Sequence, residues 1–214
     1  YWQLGANEPR LCALMSLLEH IMFEPLFDSL RTKQQLGYSV YVSARNTCQT
    51  LGLLIGVVSA TASPAEVEAA VAEFLETFVP SLETMTAEAY ARNVEAAVAN
   101  RLVDDHNMQE EAMRYFSEIE NRARCFDRAE IEAQAMQRVK QPELAEFARR
   151  VLLPGGSSNR RMSVHVYRRG GEMGALEVEP PPDGAVAIDD PDAFKAPLAH
   201  YTPPHGPLPA VQGE

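Results

Sequence analysis

From Arg10 to Leu30 the apolar residues Leu11, Leu14, Met15, Leu18, Ile21 and Met22 recur at helical spacing, which predicts an amphipathic helix. Pro25 is expected to kink or restart it, because proline lacks the N–H that a helix interior uses. Leu36 to Ala44 and Thr50 to Ser59 are β-branched or apolar runs, and Arg45-Asn46-Thr47-Cys48-Gln49 between them is turn chemistry for a hairpin. The second run is apolar on both faces from Leu51 to Val58, so it reads as a central, covered strand.

Helical patterns follow. Ser63-Pro64-Ala65-Glu66 is a capping box with proline at the first helical position, opening a helix to about Val79 with Val67, Val71, Phe74 and Phe78 on one side. Further helices are predicted over 87–103, 108–122, 128–139, with Asp127 and Glu130 as a second capping box, and 142–152. Pro154 to Asn159 breaks the pattern before a closing strand, Arg161 to Tyr167. This order predicts an α+β fold, an antiparallel-rich sheet with helices on one face. Tyr1-Trp2-Gln3-Leu4-Gly5 reads as the end of a first strand, most of which would precede Tyr1, and a sheet so shortened would leave an open edge that draws copies of the chain together.

Composition changes after Arg168. Nine of the fifteen prolines lie in the last 47 residues, so we divide the chain into a folded domain, 1–167, and a Pro-rich tail, 168–214, without a core of its own. Phe194 and Leu198 are the apolar residues expected to tether that tail. The formal charge is −11, and the tail contributes three Lys and Arg against eight Asp and Glu, so neither part is a hidden basic arm. Nucleic-acid and anionic-membrane binding are thereby disfavoured, since both reward clustered Lys and Arg. No run approaches the ~18 apolar residues of a membrane span, and no secretory signal is visible, which suggests a soluble, cytoplasmic protein.

Most chemical signatures are missing. Cys12, Cys48 and Cys125 are odd in number and lack Cys-x-x-Cys spacing, so they read as reduced thiols. His20 and His106 have no second histidine at ligand spacing, and His200 and His205 sit among prolines; we assign no metal site to this chain. No Gly-x-Ser-x-Gly elbow and no Walker or dinucleotide pattern occurs. The pairs Asp104-Asp105, Glu110-Glu111 and Asp189-Asp190 read as solvated surface.

Phe27 to Val40, FDSLRTKQQLGYSV, is the exception. It joins a helix end to a strand through Gly37 and sets Arg31 and Tyr38 at the junction, a spacing that can aim two hydrogen-bond donors at one ligand. The plain alternative has Arg31 complementing a helix C-terminus and Tyr38 half-buried on a strand. With the preceding apolar helix and its Glu24-Pro25 pair, this segment resembles the last domain of the insulysin/pitrilysin family of zinc metallopeptidases. The helix order, the RRMSVHVY run and the tail motif Ala193-Phe194-Lys195 with Leu198 extend the resemblance to about Leu198.

The resemblance implies a C-terminal fragment of a peptide-degrading enzyme whose zinc, activating a water for peptide hydrolysis, is held by an upstream domain of the same parent chain. Here the family's H-x-x-E-H zinc motif is absent. Carried over, Arg31 and Tyr38 would contact the substrate backbone beside the scissile bond and stabilise charge on its carbonyl oxygen. The implied partners are a peptide substrate and the N-terminal catalytic domains, and the fragment alone should be inactive. Two alternatives remain open at this point: a non-catalytic scaffold of the same family, and an interaction module that adds a peptide strand to its sheet edge.

Overall fold

A computed structural model of the chain describes residues 1–47, 49–121, 123–167 and 184–198. It divides into a main unit containing Tyr1–Ser163 and a smaller one, Val164–Thr202. The main unit is α+β. Three antiparallel strands, β1 (Trp2–Ala6), β2 (Ser39–Thr47) and β3 (Thr50–Val58), lie in the order β1-β3-β2. Six helices accompany them: α1 (Pro9–Phe27), α2 (Pro64–Thr84), α3 (Ala87–Arg101), α4 (Met108–Glu120), α5 (Arg128–Gln137) and α6 (Gln141–Leu152).

α1 organises the core because it is apolar nearly all round. Leu14, Leu17, Leu18, Ile21, Met22 and Leu26 are buried where it packs against the sheet and against α3, α5 and α6. β3 is central, as its apolar run implies, with Leu51 and Leu53 buried. The hairpin is tighter than the turn-like residues suggested, for pairing continues to Thr47 opposite Thr50, and Gln49 takes a left-handed φ of 62°. Cys48 lies outside the described residues. On α2 the capping box forms in full: Ser63 Oγ accepts from the Glu66 N–H, and the Glu66 carboxylate accepts from the Ser63 N–H at 2.7 Å. That hydrogen bond holds the Glu66 pKa below its ordinary value.

Three expectations need correcting. Pro25 does not restart α1; the helix continues to Phe27 and then widens into a π-helical turn, Asp28–Lys33. Asp127 does not cap α5, since its φ of −101° and ψ of 25° turn the side chain away from the helix start, and its carboxylate instead meets Cys125 Sγ at 3.6 Å. The closing strand shrinks to one bridge, Arg161 opposite Trp2. Beyond Met162 no described strand runs alongside, so the alternation of Val164 and Val166 has no ladder to join, and both stay exposed. The end of the opening strand is β1, paired from Trp2 opposite Leu53 to Ala6 opposite Thr50, and β3 from Leu54 to Val58 pairs with β2 alone among the described strands. The outer edge of β1 is engaged at Tyr1 and Gln3, with Gln3 N–H donating to Arg160 O at 3.0 Å and Met162 N–H to Tyr1 O at 2.8 Å.

In the smaller unit the described helix is α7 (Pro191–Lys195), where the Asp190 carboxylate accepts from the Asp192 and Ala193 N–H groups. Residues 168–183 and 199–214 of the Pro-rich segment, with His200 and His205, lie outside the described residues. No described helix is long and apolar enough to cross a membrane.

Candidate functional site

The junction between α1 and β2 is built to hold its backbone still. Leu30, fully buried, anchors the π turn, and its carbonyl accepts the Leu36 N–H at 3.0 Å. Ser29 O accepts from the Gln34 N–H at 3.1 Å, while Lys33 pairs with Asp28 at 2.7 Å. Gln35 then takes a left-handed φ of 52°, which turns the chain toward the sheet. Gly37 passes so close to β3 that a Cβ there would lie 2.3 Å from Val58 O, so only glycine fits. β2 starts two residues later, with Ser39 opposite Val58.

Arg31 and Tyr38 ride on this frame, and neither takes part in holding it. Tyr38 is 72% exposed, and Arg31 projects from the π turn with its guanidinium over the Phe27 ring, 4.9 Å from the centroid. Among the described residues, no hydrogen bond or ion pair engages the Tyr38 hydroxyl or the Arg31 guanidinium. Tyr38 is thus too exposed for the half-buried strand aromatic, whereas Arg31 does lie in the last turn of the π helix, as the helix-end alternative expects. Lys33 and Gln34, by contrast, bond back to Asp28 and Ser29 and position the turn. A groove of about 280 Å³ lies where the π turn meets α2, lined by Pro25, Ser29, Gln34, Phe74 and Thr77; neither Arg31 nor Tyr38 lines it.

Elsewhere the titratable groups serve the fold. Among the described residues no three His, Cys, Asp or Glu side chains gather closely enough to hold a metal ion. The His106 backbone N–H donates to Glu110 beside the Asn107 cap of α4, and Asp105 pairs with Arg114 at 2.8 Å. Cys12 and Cys125 are buried; burial pushes the Cys12 thiol well above its ordinary pKa and that of Cys125 up to about 11, which leaves both unreactive.

Sequence reasoning missed two buried polar assemblies. Glu118 of α4 accepts from Arg128 of α5 and from the Cys125 N–H, and Glu132, also buried, lies 3.6 Å from Arg128 and 2.6 Å from Arg101. Burial opposes the charge on Arg128, but the hydrogen bond and charge of Glu118, then the charge of Glu132, together hold its pKa above the usual arginine range. The i,i+4 spacing of Arg128 and Glu132 was the available signal, though it reads equally as surface pairing. Asn7, Gln49 and Cys12 form a second buried set, with Asn7 Nδ2 donating to Gln49 Oε1 at 2.9 Å and Cys12 Sγ to Asn7 Oδ1 at 2.7 Å.

Residues 17–116 match the family model described as PQQ synthase PqqF-like, C-terminal lobe domain 4. The chain is 32% identical to nardilysin of Rattus norvegicus over 206 residues, covering 95% of this chain and 17% of the relative. To human insulin-degrading enzyme it is 29% identical over 169 residues, 79% of this chain and 16% of the relative. The chain is an insulysin/pitrilysin-family C-terminal domain. A crystal structure of pitrilysin has the same fold, with a TM-score of 0.64, 21% identity and coverage of 79% of this chain and 19% of that one. This member of the family spans about a sixth of the length of the curated relatives it matches.

Proposed function

We propose that this chain is the C-terminal domain of a longer, peptide-degrading zinc metallopeptidase, in which it forms part of the chamber wall and grips the substrate backbone. The observation that carries the reading is a pair of donors, Arg31 and Tyr38, with no hydrogen-bond or ion-pair partner among the described residues, mounted on a junction held by Leu30, Ser29, Gln34 and the Lys33–Asp28 pair. Two donors fixed to a stiff frame lose little freedom on meeting a ligand, and a peptide carbonyl is an acceptor both can use. Tyr38 would donate to that oxygen as it gains charge, and Arg31 would hold the neighbouring backbone through its wider fork. In this reading the zinc belongs to another part of the longer protein, which the lack of an H-x-x-E-H motif in this sequence supports.

Two measurements test this reading. Metal analysis of the purified 214-residue chain should find no stoichiometric zinc, and one tightly held ion per chain would move the metal site into this domain. In the longer protein, Arg31→Ala should lower kcat/KM on peptides about 10- to 100-fold, chiefly through KM, at unchanged zinc content. Unchanged kinetics would reduce the domain to chamber wall. A longer protein without an upstream H-x-x-E-H would make it a scaffold instead.

A further inference from the structure

α4 is attached to the domain by the wrong side for an ordinary surface helix. Its buried residue is Glu118, bonded to Arg128 and the Cys125 N–H, while its apolar stripe faces out. Met108 is 83% exposed, Phe116 55% and Ile119 57%; with Ala112 they recur at intervals of four, four and three residues, one face of a helix. The surface continues onto Phe126 after the helix, whose ring meets Tyr115 edge-on at 5.8 Å. α4 shares no extended contact with any other described helix or strand. A contiguous exposed apolar surface of this kind, rimmed by charge, marks an interaction site.

We propose that this face is covered by an adjoining domain of the same lobe in the longer protein, through an apolar groove with Lys or Arg at its rim. The inference rests on the reading of the chain as one domain of a longer polypeptide. Two observations favour that occupant. The matched family model describes the fourth domain of a C-terminal lobe, and in the relatives the matching region is only 15–18% of the polypeptide, so neighbouring domains are available. The rim is predominantly acidic: Glu111 and Glu120 are exposed on the flanks of the stripe and Asp104 just before the helix, while the cation on this side, Arg114 over the Tyr115 ring, is already paired with Asp105. A two-fold pairing of identical copies would set these carboxylates against each other, whereas a different, basic-rimmed surface would complement them.

Hydrogen exchange in the longer protein tests the proposal. Covered, the α4 amides should exchange at least about 100-fold more slowly than in unstructured peptide, and Phe116→Glu should speed them at least about tenfold while β2 and β3 amides keep their rates. Fast α4 exchange in the unmodified protein would overturn the proposal. So would protection lost on dilution, which would assign the face to a second copy. Peptide turnover of the Tyr38→Phe protein, measured alongside, separates the two readings: α4 can be covered whether or not Tyr38 acts on substrate.

Discussion

Tyr38→Phe in the longer protein is expected to lower peptide turnover by about 10²–10³, the range for losing one donor to a developing oxyanion, with zinc content and thermal stability close to those of the unmodified protein. The stability expectation comes from the structure. The Tyr38 ring is largely exposed and its hydroxyl bonds to nothing among the described residues, so removing the oxygen breaks no contact that holds the fold. The kinetic expectation comes from the proposed role. A donor that meets its acceptor best when the carbonyl carries charge acts on kcat and on kcat/KM together. Steady-state kinetics beside a melting curve decide the matter. Turnover that stays unchanged, or that falls only as folded protein is lost, would return Tyr38 to an ordinary surface aromatic.

Arg128→Ala should have the largest effect on stability, about 3–5 kcal/mol, because it removes one partner from a buried ion pair and leaves the others without compensation. Glu118 would lose its guanidinium, and Glu132 would keep only Arg101, which is itself more exposed. The consequences reach α4, whose single buried side chain is Glu118. Urea unfolding of the chain provides the measurement, and a loss below about 1 kcal/mol would mean that the pair behaves as surface ion pairs do. Arg128→Met, which fills the volume without the charge, should still destabilise, since both carboxylates stay buried.

Much of the fold was legible because its signals are local. The period of Leu14, Leu18, Ile21 and Met22 described α1, the run Leu51–Val58 described a central strand, and Ser63 with Glu66 described a cap, each within a few residues. The readings that failed concern partners. Whether Met162, Val164 and Val166 form a strand depends on a neighbouring backbone, and whether Asp127 caps a helix depends on how the chain enters it from Cys125. The helix does not restart at Pro25 for a related reason: α1 is held by packing along its length, and that burial outweighs one missing N–H near its end.

At the site, the sequence alone determined which residues could donate, Arg31 and Tyr38, and that Gly37 lay between them at a turn. It also carried the family resemblance, which the comparisons support over most of the chain. Only the tertiary structure decided that Val58 O lies where a Cβ on residue 37 would be, that Leu30 and Ser29 hold the π turn, and that both donors are left free. It likewise turned α4 outward, against what its amphipathic pattern would lead one to expect, and buried Glu118 on Arg128. The physical reason is common to all of these. Periodicity and capping are properties of a segment, whereas the direction a face points and the partner a charge finds depend on segments that lie far apart until the chain has folded.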